Sequence, residues 1–296
     1  MYSEIKKYIE KNKKEDTVLC IYGPTASGKT ALSIQIAKDF NGEIISADSR
    51  ILYEGMIIGT AAPTKEEMEG IPHYFVNNTS PEKIYTLKDY QKKAYGYIKD
   101  ILKRGKLPII IGGTNLYIDA ITEGYSVTEY VIDKHKKKEI QQMTDEEKFK
   151  KLKKLDPDTA SIVDPNNIRH FIRKLEYCIA TGKKYSENVQ KIKPDFFTPL
   201  EIGIKWERDA LYERINKRVY AQIESGLIEE TKQLLKKYPE DHPAMTGIGY
   251  KQVIMYLKGE LNMTELIDLL QKVTRNYTKR QLTWLRKKKN IQWFLY

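Results

Sequence analysis

Residues 23–30 read Gly-Pro-Thr-Ala-Ser-Gly-Lys-Thr and fit the pattern GxxxxGK followed by Ser or Thr. They stand between an apolar strand signal at Val18 to Tyr22 and a helical stretch predicted from Thr30 to Phe40. A strand, a glycine-rich turn and a helix in this order form a P-loop. The glycines let the backbone curl until successive N–H groups and the positive end of the helix face a phosphate group. Gly23, Pro24, Thr25, Ala26, Ser27, Gly28, Lys29 and Thr30 are therefore the predicted anion-binding residues. Lys29 brings a point charge, and Thr30 a hydroxyl that can help hold Mg2+.

The predicted helix stops at Asn41-Gly42. Glu43 to Ala47 reads as a second strand ending at Asp48, and Leu107 to Ile111 as a third ending at Gly112-Gly113. Short, continuous apolar strands suit a parallel sheet covered on both faces. Between them Leu87, Tyr90, Ala94, Tyr97, Ile98 and Ile101 recur at helical spacing, and Gly105 closes that helix. From about Thr122 to Thr198 lysine-rich helical sequence replaces the alternation, with a helix start at Asp164-Pro165. Glu201 to Trp206 then returns to the sheet. A helix with the stripe Leu211, Ile215, Val219 and Ile223 follows, then another near Thr264 to Lys289 and a short apolar tail, Ile291 to Phe294. The expected architecture is α/β: a P-loop NTPase-like parallel sheet flanked by helices, with a helical insertion domain. The core covers 1–121, the insertion 122–198, and 199–296 returns to the core and ends in basic helices.

With 296 residues, 41% hydrophobic and 31% charged, the chain can bury such a core. Its longest apolar runs reach five or six residues, against the roughly 20 that a membrane-spanning helix needs. No secretion-type apolar core precedes Val18, so a cytoplasmic protein without a membrane partner is expected. Cys20 and Cys178 show no metal-ligand spacing and are expected as core thiols. Fifty-one Lys plus Arg against forty Asp plus Glu leave a charge of +11. That excess favours a polyanionic partner, although solvated lysine faces produce it as well.

A nucleoside triphosphatase usually adds an apolar strand that ends in a metal-binding Asp, whereas the strand ending at Ile111 runs into Gly112-Gly113-Thr114. Asp48 is the better-placed acid. It stands at the carboxyl edge of the sheet beside the P-loop, where open α/β sheets bind their ligands. A strand-end turn cap is its competing role.

Further motifs follow along the chain. They are Asp48-Ser49-Arg50 with Tyr53 and Gly55-Met56, Ile58-Gly59-Thr60-Ala61, Gly112-Gly113-Thr114-Asn115-Leu116-Tyr117, Asp164-Pro165-Asn166-Asn167 and Arg173-Lys174-Leu175-Glu176. Thr181-Gly182, Gly247-Ile248-Gly249-Tyr250, Thr274-Arg275 and Arg280-Gln281-Leu282-Thr283-Trp284-Leu285-Arg286 complete the series. With the P-loop, these resemble the signatures of the bacterial tRNA dimethylallyltransferases over almost the whole chain. Ile51 stands where many members have Gln, and Asp164 where His is frequent.

The resemblance implies transfer of a dimethylallyl group from dimethylallyl diphosphate, the co-substrate, to N6 of adenine 37 in the anticodon loop of certain tRNAs. Mg2+ is the implied cofactor, and a monomer is expected. The P-loop would then hold a leaving group. The adenine N6 lone pair is delocalised into the ring, so a carboxylate that takes the departing proton is useful, and Asp48 is the candidate base. Negative charge builds on the departing diphosphate, which loop N–H groups, Lys29 and Mg2+ stabilise. Thr25 and Ser27 either contact the diphosphate, orient Asp48 or satisfy loop backbone groups. Arg214 and Arg218 stand four residues apart; one of them, with Arg218 preferred, reaches the diphosphate, or the pair forms surface salt bridges with acids such as Glu213.

On the RNA side the resemblance implies that Asp48, Ser49, Arg50, Ile51 and Thr114 adjoin the target nucleotide, with a turn-forming role open for Thr114. A helix from Pro165 puts Arg169 and Arg173 on one face with His170 beside them, over a buried face of Ile168, Phe171, Ile172, Leu175 and Ile179. Arg275, Lys279 and Arg286 lie along the last helix, and no acid occurs from Val273 to the end. Both stripes suit the phosphates of the anticodon stem-loop, and solvated basic faces are the competing reading. Three other functions fit part of the pattern: a dimethylallyltransferase acting on free AMP, ADP or ATP, a small-molecule kinase, and a non-catalytic RNA-binding module.

Overall fold

The computed structural model describes residues 1–83, 85–125, 130–164, 167–188 and 191–296. Two compact units form, Met1–Thr122 with Asp195–Tyr296, and Glu123–Pro194. The larger unit opens with α1 (Tyr2–Asn12), β1 (Thr17–Tyr22), α2 (Lys29–Asp39), β2 (Gly42–Ser46), β3 (His73–Tyr74), α3 (Leu87–Lys103), β4 (Leu107–Ile111) and α4 (Asn115–Thr122). The smaller unit contains α5 (Lys134–Gln142), α6 (Asp145–Leu155), α7 (Pro157–Ile162), α8 (Ile168–Thr181) and α9 (Tyr185–Asn188). The chain re-enters the larger unit as β5 (Thr198–Lys205), α10 (Arg208–Glu224), α11 (Leu227–Leu235), α12 (Tyr250–Leu257), α13 (Met263–Leu285) and β6 (Gln292–Leu295). No helix among the described residues is long and apolar enough to cross a membrane.

The strands stand in the order β3-β2-β4-β1-β5-β6, and every neighbouring pair is parallel. Burial on both faces explains the unbroken apolar strand sequences. Val18, Cys20 and Tyr22 of β1 enter one cluster with the buried stripe of α3, whereas Leu19 and Ile21 enter another with Ile34 and Ile36 of α2. A capping box of Thr86 and Asp89 starts α3, which buries Tyr90, Ala94, Ile98 and Ile101 as the spacing predicts. Cys20 and Cys178 are both buried thiols.

Because all strands run the same way, their carboxyl ends share one edge. Gly23 follows β1, Asp48 follows β2, Gly112 follows β4 and Trp206 follows β5. Only glycine fits at 112, since a Cβ there would lie 2.0 Å from the Ala47 carbonyl oxygen. The ends of β2 and β4 approach closely for that reason.

Three elements depart from the sequence expectation. The apolar tail is an edge strand, β6, paired with β5 from Ile202 opposite Gln292 to Lys205 opposite Leu295. A helix precedes β1, burying Ile5 and Ile9 in the α2-side cluster; only these two of its residues are buried, so its lysines and glutamates dominate the sequence signal. A two-residue strand, β3, extends the sheet beyond β2.

In the smaller unit, Pro165 and Asn166, where the helix start was expected, lie outside the described residues, and α8 begins at Ile168 after Asn167. Phe171 and Leu175 are buried as expected, with Ile172 and Ile179 packed against the same cluster. Ile168 is 41% exposed, a correction to its expected burial: at the first position of the helix it has no preceding turn to pack under. Lys174 is buried instead, its ammonium 5.2 Å from the centre of the Tyr185 ring.

Candidate active site

A cavity of about 870 Å3 opens at the carboxyl edge of the sheet in the larger unit. Thr25 to Thr30 of the P-loop line it, together with Asp48, Ile51, Gly112, Gly113, Arg214, Arg218, Tyr277 and Gln281. Elements far apart in sequence converge here because β1, β2 and β4 end together and α10 and α13 pack side by side.

Within the loop, Gly28 adopts φ +88°, which turns the chain into the first residue of α2. Ala26 is also left-handed, at φ +62°. Its carbonyl accepts a hydrogen bond from Arg214 Nε at 2.8 Å, and the Ser27 carbonyl accepts one from Trp206 Nε1 at 3.0 Å. Arg214 lies 4.4 Å over the Trp206 ring, which stacks on Tyr296 at 4.4 Å. Arg214 is thus committed to bracing the loop. The buried Ser27 hydroxyl has no partner among the described residues, and such a group suits an incoming oxygen.

Arg218 reaches the Thr60 carbonyl only at 3.5 Å. Burial lowers its guanidinium, against the pull of the Asp48 carboxylate. Lys29 Nζ donates to the carbonyls of Gly23 at 2.8 Å and Pro24 at 2.7 Å. Burial and then the Arg218 charge lower the Lys29 ammonium from 10.5 to about 7, while Asp48 acts in the opposite direction. Two cations held in one cavity wall at an electrostatic cost favour an anion between them. A bound polyanion restores the Lys29 proton. Binding of a diphosphate monoester, itself fully ionised at about pH 8.5, is therefore expected to take up most of one proton there, and uptake should fade below about pH 6, where Lys29 is already charged. Calorimetry in buffers of different ionisation heat measures this, and proton release at about pH 8.5 would contradict it.

Asp48 does two things at once. Its Oδ1 accepts the Arg50 N–H at 2.9 Å, the turn-capping role. Its Oδ2 lies beside Gly113, 3.2 Å from where a Cβ would stand. Thr114 holds the same region together: its Oγ1 accepts the Ser49 N–H and its own N–H donates to Ala47 O, both at 3.1 Å. Arg50 points away to the carbonyl of Ala244 at 3.4 Å and is half-buried there. Ile51 is half-buried in the cavity wall.

The loop carrying Ile58-Gly59-Thr60-Ala61 is pinned from two helices. One Glu230 carboxylate accepts the N–H groups of Ile57, Ile58 and Gly59 at 2.7 to 3.0 Å and the Tyr250 hydroxyl at 2.8 Å. Gln222 Nε2 donates to Ile58 O at 2.7 Å. Glu230 and Gln281 are residues that sequence reasoning did not select as site residues, and Arg214, weighed there beside the preferred Arg218, is the one of the pair that holds the P-loop. Gln281 did carry a signal, a polar residue on the buried stripe of α13 with Leu266, Leu270 and Leu285.

The residues chosen for RNA are not all alike. Lys279 and Arg286 are exposed, whereas Arg275 is half-buried and donates to Asn216 Oδ1 at 2.8 Å. On α8, Arg173 and His170 are exposed, and partial burial with the charges of Lys174 and Arg173 lowers the His170 imidazolium. Arg169 belongs to α8, but its side chain lies outside the described ones. No group of three or more His, Cys, Asp or Glu able to hold a metal occurs among the described residues. Thr30 and Asp48 are among the oxygen-bearing side chains that line the cavity, and hard oxygen donors of this kind suit Mg2+ when a substrate's phosphate oxygens complete the shell.

The IPP transferase family model matches residues 51–288 of the chain. A tRNA dimethylallyltransferase of Halothermothrix orenii is 45% identical over 287 residues, covering 94% of this chain and 87% of that protein. The crystal structure of the full-length tRNA isopentenylpyrophosphate transferase from Bacillus halodurans superposes with a TM-score of 0.72 at 40% identity, covering 95% of this chain and 90% of that one. A eukaryotic dimethylallyltransferase acting on tRNA superposes with a TM-score of 0.82 at 30% identity, covering 95% and 74%. The shared parallel sheet, the shared sequence and the match across most of its length establish that this chain belongs to the IPP transferase family, whose curated relatives are tRNA dimethylallyltransferases.

Proposed function

We propose that the chain transfers a dimethylallyl group from dimethylallyl diphosphate to N6 of adenine 37 in the tRNA anticodon loop and releases diphosphate. The observation that carries this is one cavity wall that joins a P-loop, the cations Lys29 and Arg218, and the Asp48 carboxylate. The allylic C–O bond breaks as the N6–C bond forms. The electron pair of the C–O bond leaves on diphosphate, into the field of Lys29, Arg218 and the loop N–H groups. The N6 proton passes to Asp48 Oδ2, while Oδ1 remains bonded to Arg50 N–H and holds the carboxylate in place. Thr25 and Ser27 line the wall on the P-loop side, and the unpartnered Ser27 hydroxyl is available to a phosphate oxygen. Mg2+ held by Thr30 and the diphosphate would add further neutralising charge. Action as a monomer in the cytoplasm, on cytoplasmic tRNA, is part of the same reading.

Incubation with labelled dimethylallyl diphosphate, Mg2+ and either tRNA, AMP or ATP tests the reading. Label is expected in tRNA alone, and label in AMP or ATP without label in tRNA would overturn it. Arg169 and Arg173, with the exposed Lys279 and Arg286, are proposed to meet the phosphates of the anticodon stem-loop. Replacing both Arg169 and Arg173 with Ala should weaken tRNA binding and reduce the magnitude of its log–log salt slope by about 1 to 2. Filter retention across a salt series measures this, and an unchanged slope would identify them as ordinary solvated charges.

A further inference from the structure

Gln281, in the C-terminal part of α13, is 4% exposed. Its Oε1 accepts the Thr25 N–H of the P-loop at 2.9 Å, and its Nε2 donates to the Gly113 carbonyl at 2.8 Å. A backbone donor on one side and a backbone acceptor on the other leave only one orientation for the amide. Tyr277, one turn earlier, donates its hydroxyl to the same Gly113 carbonyl at 2.9 Å. Asn115 Nδ2 donates to the Gln281 carbonyl at 3.3 Å and seats the helix against the turn.

The sheet order gives this bridge its importance. The P-loop follows β1 and Asp48 follows β2, but β4 lies between them, so no ladder bond joins the two strands directly. On the β2 side the gap is closed by backbone, with Thr114 N–H on Ala47 O at 3.1 Å, next to Asp48. On the β1 side the Gln281 amide spans from the turn after β4 to Thr25.

We propose that Gln281 is a positioning residue, an amide rivet that sets the separation between the diphosphate-holding P-loop and the Asp48 side of the cavity. The inference rests on the prenyl-transfer reading. Transfer requires the leaving oxygen and the proton acceptor to stand on opposite sides of the reacting atoms, and small displacements of either slow such a step steeply. The rivet acts through the loop and the turn that it joins.

Two variants of the full chain test it, with kcat and KM measured for both substrates. Gln281→Met keeps the volume and removes both bonds. It should lower kcat/KM for dimethylallyl diphosphate by about 10-fold or more, with KM for tRNA changed less than about 2-fold. Gln281→Glu presents a carboxylate to the Gly113 carbonyl at neutral pH, losing the donor. Protonation restores it, because a carboxylic acid can donate to Gly113 O and accept from Thr25 N–H. The activity of Gln281→Glu relative to the wild type should therefore rise as pH falls from about 8 to about 6. Gln281→Met, which carries no titratable group, should stay low at every pH, so recovery confined to the protonated Gln281→Glu marks the regained donor. Unchanged kcat/KM in Gln281→Met, or a ratio for Gln281→Glu that does not vary with pH, would overturn the proposal. If Gln281→Met does not fold, the pH ratio decides alone. A wild type that fails to label tRNA counts against the prenyl-transfer reading; the rivet fails only when the wild type is active and the variants match it.

Discussion

Asp48→Ala is expected to lower turnover on tRNA by about 10²-fold or more while tRNA affinity stays near that of the wild type. Two roles of this side chain must be separated, because Oδ1 caps the turn through Arg50 N–H and Oδ2 adjoins the cavity. Loss of the cap alone costs about 1 kcal/mol of stability and predicts a lower melting temperature with little change in turnover. Asp48→Asn keeps an oxygen for the cap but cannot take up the N6 proton in the same way. The account therefore predicts that Asn restores stability and not turnover. Recovery of turnover in Asp48→Asn would reduce Asp48 to a turn cap.

Lys29→Ala should reduce kcat/KM for dimethylallyl diphosphate by about 10²- to 10³-fold, since its charge meets a group that becomes more negative as the C–O bond breaks. Much of the loss should appear in kcat, because the interaction strengthens toward the transition state. Proton uptake on diphosphate binding should disappear in the same variant, as Lys29 is the group whose ammonium is lowered to about 7. Steady-state kinetics and calorimetry on one preparation check both. A variant with normal kcat and normal proton uptake would place the diphosphate elsewhere.

The parts of the fold legible in the sequence were those encoded locally. GPTASGKT between a strand and a helix specifies its own turn, and Leu107 to Ile111 could hardly be other than a buried strand. Asp48 was legible as part of the cavity wall because strand ends in a parallel sheet share one edge. What escaped was encoded by contacts across the chain. Gln292 to Leu295 becomes a strand only because the edge of β5 is free to receive it. Arg275 and Lys279 look alike in sequence, yet Asn216, 59 residues from Arg275, engages only one of them. The i,i+4 pair Arg214 and Arg218 divides its labour in the same way, since Ala26 and Trp206 hold Arg214 at the P-loop.

The central claim is that this P-loop holds a diphosphate that leaves from carbon, without consumption of a nucleoside triphosphate. Its most direct test is the product balance of a reaction containing tRNA, dimethylallyl diphosphate and Mg2+ and no ATP, with modified adenosine measured by mass spectrometry and released diphosphate by a coupled assay. The account predicts one diphosphate for each dimethylallyl-adenosine at position 37. A reaction that requires ATP, or that forms ADP in step with the modified base, would contradict it.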